Sequence, residues 1–87
     1  MKKILFIVNP ISGNGRRTAI EHAIEKNIDR KLFECELRTT EYAGHAEEIA
    51  REAAAQGVHI VVAVGGDGTI NEVARALVHT DSALGII

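Results

Sequence analysis

Apolar residues occur along this chain in two kinds of pattern, short continuous runs and stripes at helical spacing. Continuous runs at residues 4–8 and 60–64 are rich in β-branched residues, which is typical of strands buried on both faces of a parallel sheet. Residues 33–40 alternate apolar and polar side chains, which predicts a half-exposed strand near a sheet edge. A last apolar run at 84–87 predicts a fourth strand.

Three segments between these runs have the amphipathic pattern of helices. They predict helices over residues 16–27, 45–56 and about 70–78. Gly57 is expected to end the second helix, and Glu47 is expected to pair with Arg51 one turn later. The predicted buried stripes are Ala19, Ile20, Ala23, Ile24 and Ile28; Ala46, Ile49, Ala50 and Ala53; and Ile70, Val73, Ala74, Leu77 and Val78.

The resulting order, βαβαβαβ, defines the predicted fold class. Strands alternating with helices indicate an α/β protein with a parallel sheet and right-handed crossovers. We therefore predict a three-layer α/β/α, Rossmann-like fold. The last run stops inside an apolar strand with no turn or helix after it, so we expect a truncated fold, a piece of a larger domain.

Composition narrows the possible partners. A net charge of −2 leaves no basic surface for nucleic acid, and 3% aromatic residues provide few stacking surfaces for single strands. The single cysteine, Cys35, cannot form an internal disulfide, which fits a reducing cytosol, and its place in the alternating strand predicts a core-facing side chain. No apolar run approaches the roughly 20 residues of a membrane span. We expect a cytoplasmic protein that is at most peripheral to a membrane.

Loops rich in turn-forming residues follow the first three predicted strands. Residues 9–15 follow the first strand, Thr40 follows the second, and the glycine-rich residues 65–69 follow the third. Ligands of open parallel sheets bind beyond the carboxyl ends of the strands. The sequence thus predicts one crevice to which all three loops contribute.

The loop Gly65-Gly66-Asp67-Gly68-Thr69 has the chemistry of a phosphate site. Its glycines allow another molecule to approach the main chain, and the helix after it directs unpaired N–H groups toward the same place. Asp67 would repel a bare phosphate. It suits a phosphate bridged by a metal ion, or a hydroxyl group that must lose its proton.

Structural interpretations of the same residues stay open. Thr69 and Glu72 have the spacing of a helix capping box, which would also position N–H groups for phosphate. Asp67 could stabilise the turn as an Asx residue, and Ser12 could cap the first helix. His45 is interpreted as a solvated residue at a helix start.

Arg16 and Arg17 are expected at the start of the first helix, where the helix dipole disfavours cations. A neighbouring anion, such as a nucleotide phosphate or a lipid head group, would explain them. The alternative is that both side chains point into water.

The common phosphate motifs fit poorly. Residues 13–18 match a dinucleotide fingerprint except at the last glycine, and no acidic residue ends the second strand to bind a ribose. The P-loop pattern is absent, and the four histidines lack the spacing of zinc ligands.

Three motifs together resemble the diacylglycerol kinase catalytic domain family. They are Asn9-Pro10-Ile11-Ser12-Gly13, Thr40 with Gly44-His45-Ala46, and the stretch 65–72, Gly-Gly-Asp-Gly-Thr-Ile-Asn-Glu. The family includes bacterial lipid kinases and sphingosine kinases, and the glycine–aspartate motif is shared with NAD kinases. The resemblance covers nearly all 87 residues in order.

This resemblance implies an ATP-dependent lipid kinase that uses Mg²⁺ and a lipid substrate at a membrane surface. Residues 1–87 would form its N-terminal nucleotide-binding part, and a second, β-rich domain would be absent from this chain. The aspartate matching Asp67 lies by the transferring phosphate in this family, and in some members it is proposed as the base that activates the lipid hydroxyl. In bacterial members that role is assigned to a carboxylate far downstream, and a Pro-x-Gly-Thr-x-Asn loop is expected just after Ile87. The implied ATP-binding residues are Asn9, Pro10, Ile11, Ser12, Gly13, Thr40, Gly66, Asp67, Gly68, Thr69, Ile70, Asn71 and Glu72.

Two other functions remain open from the sequence. One is an NAD kinase-like phosphotransferase that shares only the glycine–aspartate loop. The other is a nucleotide-binding module without catalysis of its own, because half of the implied site is absent from these residues. The sequence assigns neither the lipid acceptor nor the oligomeric state.

Overall fold

The chain folds into a four-stranded parallel sheet with helices on both faces. A computed structural model describes residues 1–10 and 16–87. The strand order is β2-β1-β3-β4. The elements are β1 (Lys2–Val8), α1 (Arg16–Asn27), β2 (Phe33–Thr39), α2 (His45–Ala55), β3 (Ile60–Val64), α3 (Asp67–Leu77) and β4 (Ala83–Ile86).

Two helical layers cover the sheet. Leu5 and Ile7 of β1 pack with residues of α2 and α3 on one face. Phe6, the residue between them, packs with Ile20 and Ile24 of α1 on the other face, since successive side chains of a strand point to opposite faces. The predicted three-layer α/β/α class is confirmed.

Strand register sets the level at which the site forms. Val8, the last residue of β1, lies opposite Thr39 of β2 and Val64 of β3. These are also the last residues of their strands. Three parallel strands therefore stop at one level, and the chain segments that follow them start side by side.

The outer strand and the second helix match their predictions. β2 lies at the sheet edge with alternating exposed and half-buried residues, and half-buried Cys35 packs toward the α1 side. α2 buries the four residues predicted for it. Gly57 ends α2 with a φ of 83°, and its N–H donates to the carbonyl of Ala54 at 3.1 Å.

The apolar stripe predicted for α1 is wider than the stripe that the helix buries. Ile20 and Ile24 are buried and Ile28 is half-buried, but Ala19 and Ala23 are exposed. In the part of the chain that the structure describes, α1 is the only helix on its face of the sheet. Its flanks therefore have no neighbouring helix to pack against, and only its central line is buried.

The predicted start of α3 is also wrong. Gly66 is the N-cap residue and α3 begins at Asp67, so Thr69 lies inside the first turn with its side chain buried. The capping-box interpretation of Thr69 and Glu72 therefore fails, because the cap position comes three residues earlier. The buried stripe also differs from the predicted one: Ile70 and Ala74 are half-buried, and Val78, just after the helix, is 59% exposed. The residues that α3 buries are Thr69, Val73, Ala76 and Leu77.

One carboxylate links the two helices that share a face. Glu47 of α2 accepts hydrogen bonds from Arg51 at 2.6 Å, as predicted, and from Arg75 of α3 at 3.1 Å. Because both arginine side chains are more than 60% exposed, the net stabilisation is below about 1 kcal/mol per pair. The contribution of Glu47 is mainly to orient α2 relative to α3.

Within residues 1–10 and 16–87, every helix is too short or too polar to cross a bilayer.

Candidate functional site

A cleft of about 600 Å³ lies at the carboxyl ends of β1, β2 and β3. All three loops that were predicted to converge contribute to its wall. Its lining residues are Asn9, Pro10, Thr40, Glu41, Tyr42, Ala43, Ala46, Gly68, Thr69 and Glu72.

The topology explains why a cleft opens at this point. After β1 the chain adds β2 on one side, and then crosses back over β1 to add β3 on the other side. α1 follows β1 on one face of the sheet, whereas α3 follows β3 on the opposite face. The loops after β1 and β3 therefore diverge, which is the usual place for ligands in an open α/β sheet.

Asn9 connects the loop after β1 with the start of α3. Its backbone N–H donates to the carbonyl of Val64 at 3.1 Å, which extends the β1–β3 pairing by one residue. Its side-chain amide donates to the hydroxyl oxygen of Thr69 at 3.4 Å. Thr69 is thus a buried residue that holds two walls of the cleft together.

Thr40 lies on the floor of the cleft. Its backbone N–H donates to the carbonyl of Val8 at 2.9 Å, so the β1–β2 ladder continues one residue past the end of β2. Only 8% of Thr40 is exposed. A ligand in the cleft would meet a backbone that is hydrogen-bonded into the sheet at this position.

The glycine turn leaves open space above its own main chain. Gly65 has a φ of 155°, which L-residues rarely adopt, whereas Gly66 has an ordinary extended conformation. A Cβ atom added at Gly66 or Gly68 would meet nothing within 4 Å. Neither backbone strain nor packing within the described residues requires glycine at these two positions, so the exposed backbone is available to a ligand.

The same turn contains the first backbone N–H groups of α3. The first N–H groups of an α-helix have no partner within the helix, and no side chain of residues 1–10 or 17–87 caps α3. The helix dipole adds partial positive charge at this end. The start of α3 therefore combines open space with donors suited to an anion.

Asp67 is exposed as the first residue of α3, where the helix dipole favours a negative charge.

The predicted ATP-binding residues divide into three groups. Those that line the cleft are Asn9, Pro10, Thr40, Gly68, Thr69 and Glu72; those that do not are Gly66, Asp67, Ile70 and Asn71. Ile11, Ser12 and Gly13 lie outside the described residues.

Tyr42 and its neighbours form a part of the site that sequence reasoning missed. The Tyr42 ring stacks on the imidazole of His45, with centroids 4.3 Å apart and an interplanar angle of 14°. The Tyr42 hydroxyl donates to the carboxylate of Glu48. Nδ1 of His45 accepts the N–H of Glu41 at 2.9 Å, so His45 organises the turn before α2 and is not simply a solvated residue. The available signal was an aromatic residue in the loop three positions after a strand end.

Arg17 has partners within the chain. Its guanidinium donates to Glu21 at 3.0 Å and to the hydroxyl oxygen of Thr39 at 2.6 Å. These contacts account for a cation at the start of α1, so Arg17 does not point freely into water and needs no bound anion. The side chain of Arg16 lies outside the described part.

No cluster of three or more histidine, cysteine, aspartate or glutamate side chains able to hold a metal ion occurs among the described residues.

The titration of Tyr42 tests the geometry at this wall of the cleft. The hydrogen bond to Glu48, and to a smaller extent burial and the charges of Glu48 and Glu41, raise the pKa of Tyr42 above its usual 10.0. The stabilisation that this bond provides is present below pH 10 and is lost as the pH rises through the raised pKa.

No other tyrosine occurs in the 87 residues, so ultraviolet absorbance of tyrosinate reports this group. We expect a midpoint above 10 that Glu48→Gln lowers and Glu52→Gln leaves unchanged; equal midpoints in all three proteins would contradict the contact.

Comparisons with known proteins agree with the motifs. Residues 3–87 match the family model described as "Diacylglycerol kinase catalytic domain". The chain is 36% identical over 91 residues to a protein of Bacillus subtilis named "Diacylglycerol kinase", and this match covers 100% of the chain and 29% of that protein. It is 54% identical over 52 residues to a Xanthomonas oryzae protein named "Probable lipid kinase YegS-like", covering 60% of the chain and 17% of that protein.

A solved structure is similar over nearly the whole chain. The crystal structure of a diacylglycerol kinase from Bacillus anthracis superposes with a TM-score of 0.74 at 28% identity. The match covers 99% of this chain and 32% of that one. The chain therefore spans about a third or less of the length of these three proteins.

Proposed function

The chain belongs to the diacylglycerol kinase catalytic domain family, and we propose that it supplies the ATP-binding part of a lipid kinase. The reaction would transfer the γ-phosphate of ATP to a hydroxyl group of a diacylglycerol-like lipid. The observation that carries this proposal is the open backbone at Gly66 and Gly68, beside the uncapped start of α3.

The phosphates of ATP suit this position for a physical reason. Gly68 lines the cleft, and the empty space above it allows phosphate oxygens to approach the main-chain N–H groups directly. Hydrogen bonds to a charged group contribute about 1.5–3 kcal/mol each, about twice those between neutral groups. Asn9 and Thr69, which are hydrogen-bonded to each other, would hold the adjoining wall in place.

Mg²⁺ would enter with the nucleotide. In kinases this ion is typically held by phosphate oxygens and one or two carboxylates, and it neutralises charge that develops during transfer. Asp67 and Glu72 are the carboxylates of α3 nearest in sequence to the glycine turn. Either can contribute a ligand once phosphates provide the others.

The chemistry that we propose for Asp67 is proton acceptance. As the lipid oxygen forms a bond to the γ-phosphorus, the bond to the β-phosphate oxygen breaks and ADP leaves. The hydroxyl proton must go to a base. The exposed carboxylate of Asp67 takes part in none of the ion pairs that the structure describes, so it can accept that proton.

The lipid would be bound by residues of a second, β-rich domain outside these 87 residues. Such an enzyme would act at a membrane surface from the cytoplasm as a peripheral protein. The residues described provide only the nucleotide side of the reaction, so a separated chain 1–87 is expected to lack turnover.

A phosphorylation assay tests this function. The full-length protein is incubated with γ-labelled ATP, Mg²⁺ and diacylglycerol in mixed micelles, and in parallel with NAD as the acceptor. We expect labelled phosphatidic acid and no labelled NADP. Labelled NADP alone would favour the NAD kinase-like alternative, and ATP binding without any labelled product would favour a non-catalytic module.

A further inference from the structure

Tyr42 is an aromatic side chain in an unusual environment for this chain. The sequence contains three aromatic residues, and both phenylalanines, Phe6 and Phe33, pack into the core on the α1 side of the sheet. Tyr42 is instead 55% exposed and lines the cleft. Burial in the core therefore does not explain why an aromatic ring is present at this position.

The Tyr42 ring is nevertheless held in one orientation. The imidazole of His45 covers one of its faces, and the hydroxyl is hydrogen-bonded to Glu48. The carbonyl of Tyr42 accepts the N–H of His45 at 3.1 Å, which fixes the backbone as well. A ring held on one face and at its hydroxyl presents its second face as a rigid flat surface that loses little entropy on binding.

Charge decides what kind of group that surface accepts. The carboxylates of Glu41 and Glu48 lie on either side of Tyr42 in the sequence, and both raise its pKa through their negative charge. A phosphate group would be repelled at this wall, whereas a neutral aromatic base would not. The opposite wall, at the start of α3, is the one with open donors for phosphate.

The spacing of the two walls fits a nucleotide. Tyr42 follows β2 and the glycine turn follows β3, and these strands lie on either side of β1. Adjacent strands are about 4.8 Å apart, so the two strand ends are separated by about 10 Å. A nucleotide lying across the end of β1 spans such a separation between its base and its phosphates.

We infer that the free face of the Tyr42 ring is the surface on which the purine base of ATP stacks. The inference rests on the proposed function and adds to it the residue that positions the base. Stacking of a base on an aromatic side chain is strong enough to matter, because alanine substitutions at such positions weaken binding about 5- to 150-fold.

Calorimetric titration of the full-length protein with two ligands tests the inference. ATP carries the base, and inorganic tripolyphosphate offers the same kind of phosphate chain without it. We expect Tyr42→Leu to weaken ATP about 5- to 150-fold and to leave tripolyphosphate within twofold of wild type. Tyr42→Phe, which keeps the ring and loses the hydroxyl, should bind ATP within about threefold of wild type.

The outcomes separate the inference from the proposed function. Equal ATP affinity in Tyr42→Leu and wild type would overturn the inference and leave the proposed function standing. Equal loss of ATP and tripolyphosphate would also overturn it, because it would show that Tyr42 only supports the local structure. A wild-type protein that binds neither ligand would overturn the proposed function and the inference together. Thermal unfolding of each variant verifies that it is folded.

Discussion

Asp67→Asn in the full-length protein is expected to lower the turnover of lipid phosphorylation by about 10² to 10⁴-fold while the protein stays folded. The substitution keeps the size and hydrogen-bonding shape of the side chain but removes the negative charge. It therefore removes both the capacity to accept a proton and the attraction for Mg²⁺. The cost in stability is small, about 0.3–1 kcal/mol, because only an exposed charge at the start of α3 is lost.

The kinetic form of the loss identifies the role of Asp67. A lower kcat with an unchanged KM for ATP indicates proton transfer, whereas a raised KM indicates that the carboxylate holds metal-bridged phosphate. Asp81→Asn is the matched control. Asp81 is an exposed aspartate in the turn before β4, at the amino ends of the strands and away from the cleft. Turnover of Asp67→Asn within a few-fold of wild type would refute the assigned role.

Gly68→Ala is expected to raise stability and weaken nucleotide binding, whereas Gly57→Ala is expected to lower stability and leave binding unchanged. Gly68 has a helical backbone that alanine adopts readily, and its added methyl group would meet no atom of the described chain. We expect the free energy of unfolding to rise by about 0.5–1 kcal/mol. ATP affinity should fall at least about tenfold, because the methyl group occupies the space through which phosphate reaches the backbone and costs at least one charged hydrogen bond.

Gly57→Ala provides the control for this experiment. Gly57 has a φ of 83° at the end of α2, so alanine there should lower the free energy of unfolding by about 1–2 kcal/mol. The end of α2 lies away from the carboxyl ends of the strands, and ATP affinity should stay the same. Chemical denaturation and calorimetry measure the two quantities. If Gly68→Ala binds ATP as well as wild type, phosphate does not approach this backbone.

The central part of the fold could be read from sequence because its residues are buried on all sides. The run Ile60–Val64 predicts a buried strand without any knowledge of its neighbours, since five consecutive apolar residues leave no polar face. The α2 stripe was equally clear because one helical face meets both the sheet and α3. In both cases local pattern and tertiary environment favour the same structure.

The errors occurred where neighbours outside the segment decide the outcome. The exposure of Ala19 depends on the absence of a second helix beside α1 among the described residues, which no pattern within α1 reveals. The start of α3 depends on the backbone at Gly65 and Gly66, where Gly66 takes the N-cap position and the helix begins three residues before the one that a Thr69 cap would place first. Thr69 could then be buried and contact Asn9, 60 positions earlier in the chain.

The candidate site was predictable only in outline. Parallel topology alone brings the loops after β1, β2 and β3 to one edge, so their convergence follows from the element order. The arrangement of Tyr42, His45 and Glu48 does not follow from it, because it depends on the left-handed conformation of Gly44 between the ring and the helix. Side-chain orientation in a loop is set by such backbone details.

The position of β1 between β2 and β3 also has a consequence for biosynthesis. β1 pairs with β3 from Ile4 opposite Ile60 to Val8 opposite Val64, which is 56 residues later in the chain. At a translation rate of about 5–20 residues per second, β1 waits roughly 3–11 s for this partner to be made. During that interval its apolar residues lack the strand that completes their burial, so the nascent chain is prone to aggregation. A chaperone that binds short apolar segments at the ribosome would therefore increase the yield of folded protein.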